Sequence, residues 1–132
     1  MEYIFRGFDT VGDKGWVYGD LVHNKKVTVD SLEDRVMVGG YEVVPESVGL
    51  WTGLKDKNGK DVYEGDIVRW DKDNRLYVVV FRNGMFYASV EEFNPHIYGG
   101  FPLWFLCKEE QHCDIVGNMM SGYYFINKDN AF

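Results

Sequence analysis

The chain has 132 residues, a length that predicts one domain, and 45% of them are hydrophobic, which is enough to form a packed core. Its formal charge of -7 disfavours non-specific binding to nucleic acid or to an anionic membrane surface. No apolar run approaches the roughly 18 residues of a membrane-spanning helix, and the acidic start does not resemble a signal peptide. We therefore expect a single cytoplasmic domain over residues 1–132, with fraying at 128–132.

The apolar residues mostly alternate or form short runs rich in Val, Ile, Tyr, Phe and Trp, a pattern typical of β-strands. In chain order, the predicted strands are 3–8, 16–22, 26–29, 35–38, 41–44, 50–53, 67–70, 76–81, 85–90, 101–106 and 114–117. A short helix at 31–34 and a loop there are equally compatible with the residues. The fold class that these elements indicate is mainly β.

Turn sequences join several of the predicted strands. Asn83-Gly84 lies between two apolar runs, and a two-residue hairpin needs the positive φ angles that Asn and Gly accept most readily. Gly39-Gly40 predicts a second hairpin in the same way. Asn58-Gly59 predicts a further turn, and the residues at 71–74 predict a polar loop.

The longest distinctive motif, LWTGLKDKNGKDVYEGDIVRW, occupies residues 50–70. Its turn residues account for most of it, because Asn58-Gly59 predicts a turn and Gly65-Asp66 predicts a bend into the next strand. We expect the lysines of the motif, with Asp56 and Asp61, to form a solvated rim. We therefore interpret the motif as structural.

The same motif resembles the signature of the YopX family, small proteins encoded by phages and prophages of bacteria. The resemblance rests on GLKDKNGK at 53–60 and VYEGDIV at 62–68, with FRGFD at 5–9 and IVGN at 115–118 similar to the opening and closing segments of the family. It implies a bacterial host cytoplasm, an SH3-like, partly open barrel with additional strands and hairpins, and self-association. It implies no assigned activity and supplies no catalytic residue. Phe8 and the tail after Asn118 depart from the family pattern.

Aromatic residues are concentrated at 93–105, with two prolines and two glycines, and again at 123–125. Such a loop either caps a core or anchors a partner, because Tyr, Trp and Phe dominate the buried centres of interfaces. The number of aromatics is high for one core of this size, so we predict a homo-oligomer, or a complex with a host or phage protein. The predicted interface residues are Tyr98, Phe101, Trp104, Tyr123 and Tyr124.

The alternative is a nucleic-acid-binding SH3-like domain. The segment 55–82 has 7 basic and 6 acidic residues, whereas 1–54 has 5 against 9 and 83–132 has 2 against 6. Trp51 or Trp70 would stack on bases in that case. The predicted contacts are Lys55, Lys57, Lys60, Arg69, Lys72, Arg75 and Arg82.

Metal and catalytic sites have weaker support in the sequence. Cys107, His112 and Cys113 have poor spacing for zinc, and a fourth ligand would have to be His96 or Asp114. Two free, reduced cysteines are the simpler interpretation. His112 and Cys113 point to opposite faces of an extended segment and so do not pair directly. We expect no cofactor, no metal and no enzymatic activity.

Overall fold

A computed structural model describes residues 4–90, 99–108, 111–120 and 123–126 of the chain. Internal contacts divide the chain into two compact units, Met1–Trp51 and Thr52–Phe132. Most of the described residues are in antiparallel strands, which confirms the mainly β prediction. The described strands do not close into a barrel. The predicted fraying at 128–132 lies outside the described residues.

The first unit contains two groups of antiparallel strands. Its elements are β1 (Phe5–Phe8), β2 (Trp16–Gly19), β3 (Leu21–Val27), β4 (Leu32–Val38), β5 (Tyr41–Glu42) and a 3-10 turn at Pro45–Ser47. β1 pairs with β2 on one side and with the first residues of β6 (Gly49–Lys55) on the other, while β3, β4 and β5 form a separate sheet. Val17, Val38 and Val43 form the small core of this unit.

Residues 31–34 are not helical, so the helix considered for them is wrong and the loop interpretation is incomplete. Leu32 begins β4 and pairs with Val27 across a hairpin. The Ser31 N–H donates to the Thr28 hydroxyl (3.0 Å), and the Thr28 N–H donates to the Ser31 carbonyl (2.8 Å). The polar side chains therefore close a hairpin loop instead of capping a helix.

The predicted Gly39-Gly40 hairpin is confirmed. Val38 pairs with Tyr41, and the two glycines have φ angles of 60° and 88°. L-residues with a Cβ rarely adopt these angles, so the turn depends on glycine.

A six-stranded antiparallel sheet forms most of the second unit, in the order β11-β10-β9-β8-β12-β13. The elements of this unit are β7 (Asp61–Tyr63), β8 (Asp66–Trp70), β9 (Leu76–Arg82), β10 (Met85–Ser89), β11 (Gly100–Pro102), helix α1 (Leu103–Leu106), β12 (Cys113–Met120) and β13 (Tyr123–Ile126). β7 lies beside β6. No helix among the described residues is long and apolar enough to cross a membrane.

Apolar side chains cover both faces of this sheet. Val68, Tyr77 and Val79 belong to one buried cluster, together with Leu103 and Leu106 of α1. Ile67, Val78 and Val116 form a second cluster. Neighbouring residues of a strand point to opposite faces, so these strands are buried on both sides and their sequences are almost continuously apolar.

The hairpin predicted around Asn83-Gly84 is confirmed, with Arg82 paired to Met85 and φ angles of 54° and 80° at the turn. The strand predicted at 101–106 is only partly correct, because Leu103–Leu106 is a helical turn. Pro102 precedes it with φ fixed at -53°. Leu103 and Leu106 are three residues apart, so one helical turn buries both on the same side.

Candidate interaction surface and thiol pair

Helix α1 presents Trp104 at the surface of the second unit. Leu103 and Leu106 are fully buried and fix the helical turn in the core, whereas the Trp104 side chain is 51% exposed. Phe105 meets the Trp104 ring edge-on, with centroids 6.1 Å apart, and the Lys108 ammonium lies 4.9 Å from the ring centroid. A large aromatic side chain is therefore held in place and left half in water.

The other predicted interface residues have different environments. Phe101 is half-buried: it stacks on Phe105 at 5.7 Å and meets Trp70 edge-on at 4.9 Å, so it packs mainly against the core. Tyr123 and Tyr124 lie on β13, opposite Met120 and Met119 of β12. Tyr98 lies outside the described residues. Trp104 is the predicted interface residue that the structure leaves most accessible among those with described side chains.

At least three of the seven predicted nucleic-acid contacts are paired with carboxylates. Lys55 lies 3.0 Å from Asp61, Lys57 lies 3.1 Å from Asp71, and Arg69 lies 3.3 Å from Asp114. These ion pairs neutralise charges that would otherwise face phosphates.

The remaining four basic residues are in the turns and strand ends of the same segment. Lys60 precedes β7, Lys72 and Arg75 lie in the loop before β9, and Arg82 ends β9. Trp70 is only 7% exposed and packs against Phe101, so its ring is not available for stacking on a base.

The turn at residues 56–60 is built around the Asp56 carboxylate. One oxygen accepts the N–H groups of Asn58 and Lys60, each at 2.9 Å, and the other accepts the N–H of Ile115 on β12 at 3.0 Å. Asp56 is 7% exposed. The prediction of a solvated rim is therefore wrong for this residue, because its carboxylate joins the turn to β12.

Two other acids have the same kind of role. The buried Asp66 accepts the Tyr63 N–H at 2.8 Å, and the buried Asp9 accepts the N–H groups of Val11 and Lys14 at 3.3 and 3.1 Å. An acid in a turn sequence predicts exposure, since the sequence does not show which backbone donors it will meet. These contacts support the structural interpretation of the motif.

Cys107 and Cys113 form a close pair of free thiols. Cys107 directly follows α1, Cys113 begins β12, and their Sγ atoms are 3.9 Å apart. Cys113 is 1% exposed, whereas Cys107 is half-buried. The hydrogen bond from Cys113 lowers the pKa of Cys107, and the same bond, with burial, raises the pKa of Cys113. Free thiols were predicted from the sequence, but their proximity was not.

The thiol pair lines a groove of about 640 Å³, together with Asp56, Lys57, Lys108 and His112. Across residues 4–90, 99–108, 111–120 and 123–126, no three His, Cys, Asp or Glu side chains come together as a metal site. His96, considered above as a fourth zinc ligand, is not among these residues. The groove therefore combines two thiols with nearby cationic side chains.

A family model described as YopX protein matches residues 4–121, which is most of the chain. The chain belongs to the YopX family. The match confirms the resemblance carried by the segments around residues 5–9, 53–68 and 115–118. In this YopX family member, Asp9, Asp56 and Asp66 of those segments accept backbone hydrogen bonds in turns. No curated protein matches the chain.

Proposed function

We propose that this YopX family member is a non-catalytic protein-interaction module that self-associates through the surface around Trp104. One observation carries the proposal: the Trp104 ring is half-exposed on a helical turn whose Leu103 and Leu106 side chains are buried in the core. An aromatic side chain that is already immobilised loses little conformational entropy when a partner covers it. Such residues are typical energetic centres of interfaces.

A second copy of the chain is the partner that we propose. In a two-fold symmetric contact, Trp104 and Phe105 of each copy meet the same surface of the other. Because each copy carries a net charge of -7, a contact centred on these aromatic rings has to offset electrostatic repulsion between the copies.

The wider setting is part of the same proposal. We place the protein in the cytoplasm of a bacterium that carries a phage or prophage, as the family resemblance implies. A host or phage protein is the alternative occupant of the Trp104 surface. The SH3-like barrel implied by the resemblance stays a prediction, since the described strands form open sheets.

Light scattering after size exclusion, over a concentration series, tests self-association. We expect the wild-type mass to be a multiple of 15.3 kDa and Trp104→Ala to weaken association at least about tenfold, the effect of losing about 1.4 kcal/mol of binding free energy. Phe81→Ala is the matched control, because Phe81 is 53% exposed in the same unit. This variant should assemble like the wild type.

Results of two kinds would contradict the proposal. One is a wild-type chain that stays monomeric at every concentration. The other is Trp104→Ala assembling as strongly as the wild type, or Phe81→Ala weakening assembly equally, since the contact would then not be centred on Trp104. Circular dichroism spectra of both variants establish whether they are folded.

A further inference from the structure

We infer that Cys107 and Cys113 form a peroxide-reactive thiol pair, in which Cys107 is oxidised first and Cys113 then closes an intramolecular disulfide. The inference is independent of the proposed self-association. It rests on the position of the two sulfurs, on their unequal exposure and on the hydrogen bond between them.

The two sulfurs are close enough to bond after a small movement. Their separation is 3.9 Å and a disulfide needs about 2.05 Å, so they must approach by about 1.9 Å. Cys113 is fixed, because it pairs with Trp70 in the sheet and its carbonyl accepts the Lys57 N–H at 2.8 Å. Cys107 lies outside the sheet, directly after α1, and is half-buried. We therefore expect the Cys107 sulfur to make most of this movement.

Exposure assigns different roles to the two thiols. Cys107 is half-buried and lines the groove, so a small peroxide can reach its sulfur. Cys113 borders the same groove but is only 1% exposed, so it is largely shielded from an oxidant in solution, and it contacts Cys107 directly. An accessible thiol next to a second, protected thiol is the usual arrangement of a reactive and a resolving cysteine.

The hydrogen bond from Cys113 favours a thiolate at Cys107, since it lowers the pKa of Cys107. Lys55, Lys57, Lys108 and His112 supply cationic or titratable nitrogens, while Asp56 is the single carboxylate lining the described groove. Lys55 and Lys57 are paired with Asp61 and Asp71, and Lys108 lies over the Trp104 ring. These contacts reduce the positive charge that each lysine presents to the groove. The hydrogen bond from Cys113 is a larger effect than burial and the charge of Asp56, which raise the pKa of Cys107.

The proposed reaction has two balanced steps. The Cys107 thiolate attacks one oxygen of hydrogen peroxide: an S–O bond forms, the O–O bond breaks, and hydroxide leaves and is protonated to water. Sulfur is thereby oxidised by two electrons to a sulfenic acid, and the peroxide is reduced. The Cys113 thiol then loses its proton and its sulfur attacks Cys107. An S–S bond forms, the S–O bond breaks, and hydroxide leaves with that proton as a second water.

The test uses the full, reduced chain with hydrogen peroxide in metal-free buffer. We expect the intact mass to fall by two hydrogens and the number of alkylated cysteines to fall from two to none. Peptide mapping should then show residues 107 and 113 joined within one chain. Addition of a dithiol reductant should restore both alkylations. These measurements need no substitution, so a variant that fails to fold does not affect them.

Variants separate the two roles. Cys113→Ala should leave Cys107 as a sulfenic acid that dimedone traps, whereas Cys107→Ala should leave Cys113 at least about tenfold less reactive toward peroxide. In the folded wild type, Cys107 should also be alkylated at least about tenfold faster than Cys113.

Three outcomes would overturn the inference. They are two alkylated cysteines after peroxide treatment, disulfides formed only between chains, and trapping of the sulfenic acid at Cys113 instead of Cys107.

Discussion

The Asp56 side chain shows how one buried carboxylate can organise a turn. Its oxygens accept three backbone N–H groups, two within the turn at 56–60 and one from Ile115 on β12. The hydrogen bonds within the turn span two and four residues, but the bond to Ile115 spans 59. Asp56 therefore connects a local motif to a distant strand of the same unit.

Asp56→Ala should lower the free energy of unfolding by about 3 kcal/mol, because three N–H donors lose a charged acceptor. Asp56→Asn should cost less, since an amide oxygen still accepts the N–H groups of Asn58 and Lys60. Urea denaturation followed by circular dichroism measures both values.

Asp61→Ala is the control for this prediction. Asp61 belongs to the same motif, but its contact with Lys55 is an exposed ion pair, so its removal should cost at most about 1 kcal/mol. Equal losses for the Asp56 and Asp61 variants would show that the buried hydrogen bonds do not stabilise the turn.

At the scale of elements, the turn between β4 and β5 depends on two glycines with different surroundings. Both have positive φ, so either position is strained for a residue with a Cβ. A Cβ on Gly39 would lie 2.4 Å from the Tyr18 carbonyl oxygen, whereas a Cβ on Gly40 would have nothing within 4 Å. Substitution at Gly40 therefore measures the cost of positive φ alone, whereas substitution at Gly39 adds the cost of a steric clash.

We expect Gly40→Ala to lower the free energy of unfolding by about 1 kcal/mol, the usual cost of an alanine at positive φ. Gly39→Ala should cost about 3 kcal/mol, because β2 and the turn must also move apart. Urea denaturation of the two variants under the same conditions measures the difference. A cost for Gly40→Ala that matches or exceeds that of Gly39→Ala would contradict the role of the clash.

The β3–β4 hairpin carries its charges in cross-strand positions. Lys25 lies 2.5 Å from Asp34, and this contact holds the pKa of the Asp34 carboxyl below its usual range. β3 is also an edge strand of its sheet, and its lysines at 25 and 26 disfavour pairing with the edge of another sheet. The charges on β3 therefore disfavour edge-to-edge association of this sheet with another one.

At the scale of the whole molecule, the charge disfavours non-specific binding to nucleic acid. The chain has a formal charge of -7, and in the least acidic segment Lys55, Lys57 and Arg69 are paired with carboxylates. Non-specific affinity depends on several cations that neutralise phosphates together. The structure thus weakens the alternative that the charge distribution along the sequence left open.

Gel shifts at low salt should show no complex with single- or double-stranded DNA or RNA, because the net charge of -7 opposes binding to phosphates and Lys55, Lys57 and Arg69 are paired with carboxylates. The double variant Asp61→Asn/Asp71→Asn is the matched control, since it frees Lys55 and Lys57 without removing a basic residue. Any binding by this variant should exceed that of the wild type. A wild-type complex whose affinity falls steeply with salt would overturn this prediction.

Much of the fold follows from short-range chemistry. The Asn83-Gly84 and Gly39-Gly40 hairpins were predictable because the φ angles of a tight turn admit few residue types. Most strand positions were predictable from runs of apolar and β-branched residues. The helical turn at Leu103–Leu106 was not, since its residues also favour a strand, and the burial of both leucines on one side decided between the two.

The mainly β class, the tight turns and the YopX family can be read from local sequence, because each depends on residues that are neighbours or form one motif. The burial of Asp56, the exposure of Trp104 and the 3.9 Å separation of the Cys107 and Cys113 sulfurs become visible only in the folded chain. These properties depend on residues far apart in the chain or on which side of an element meets the core. Local residue patterns do not specify such contacts, since the same side chain is solvated or buried according to what the rest of the chain places against it.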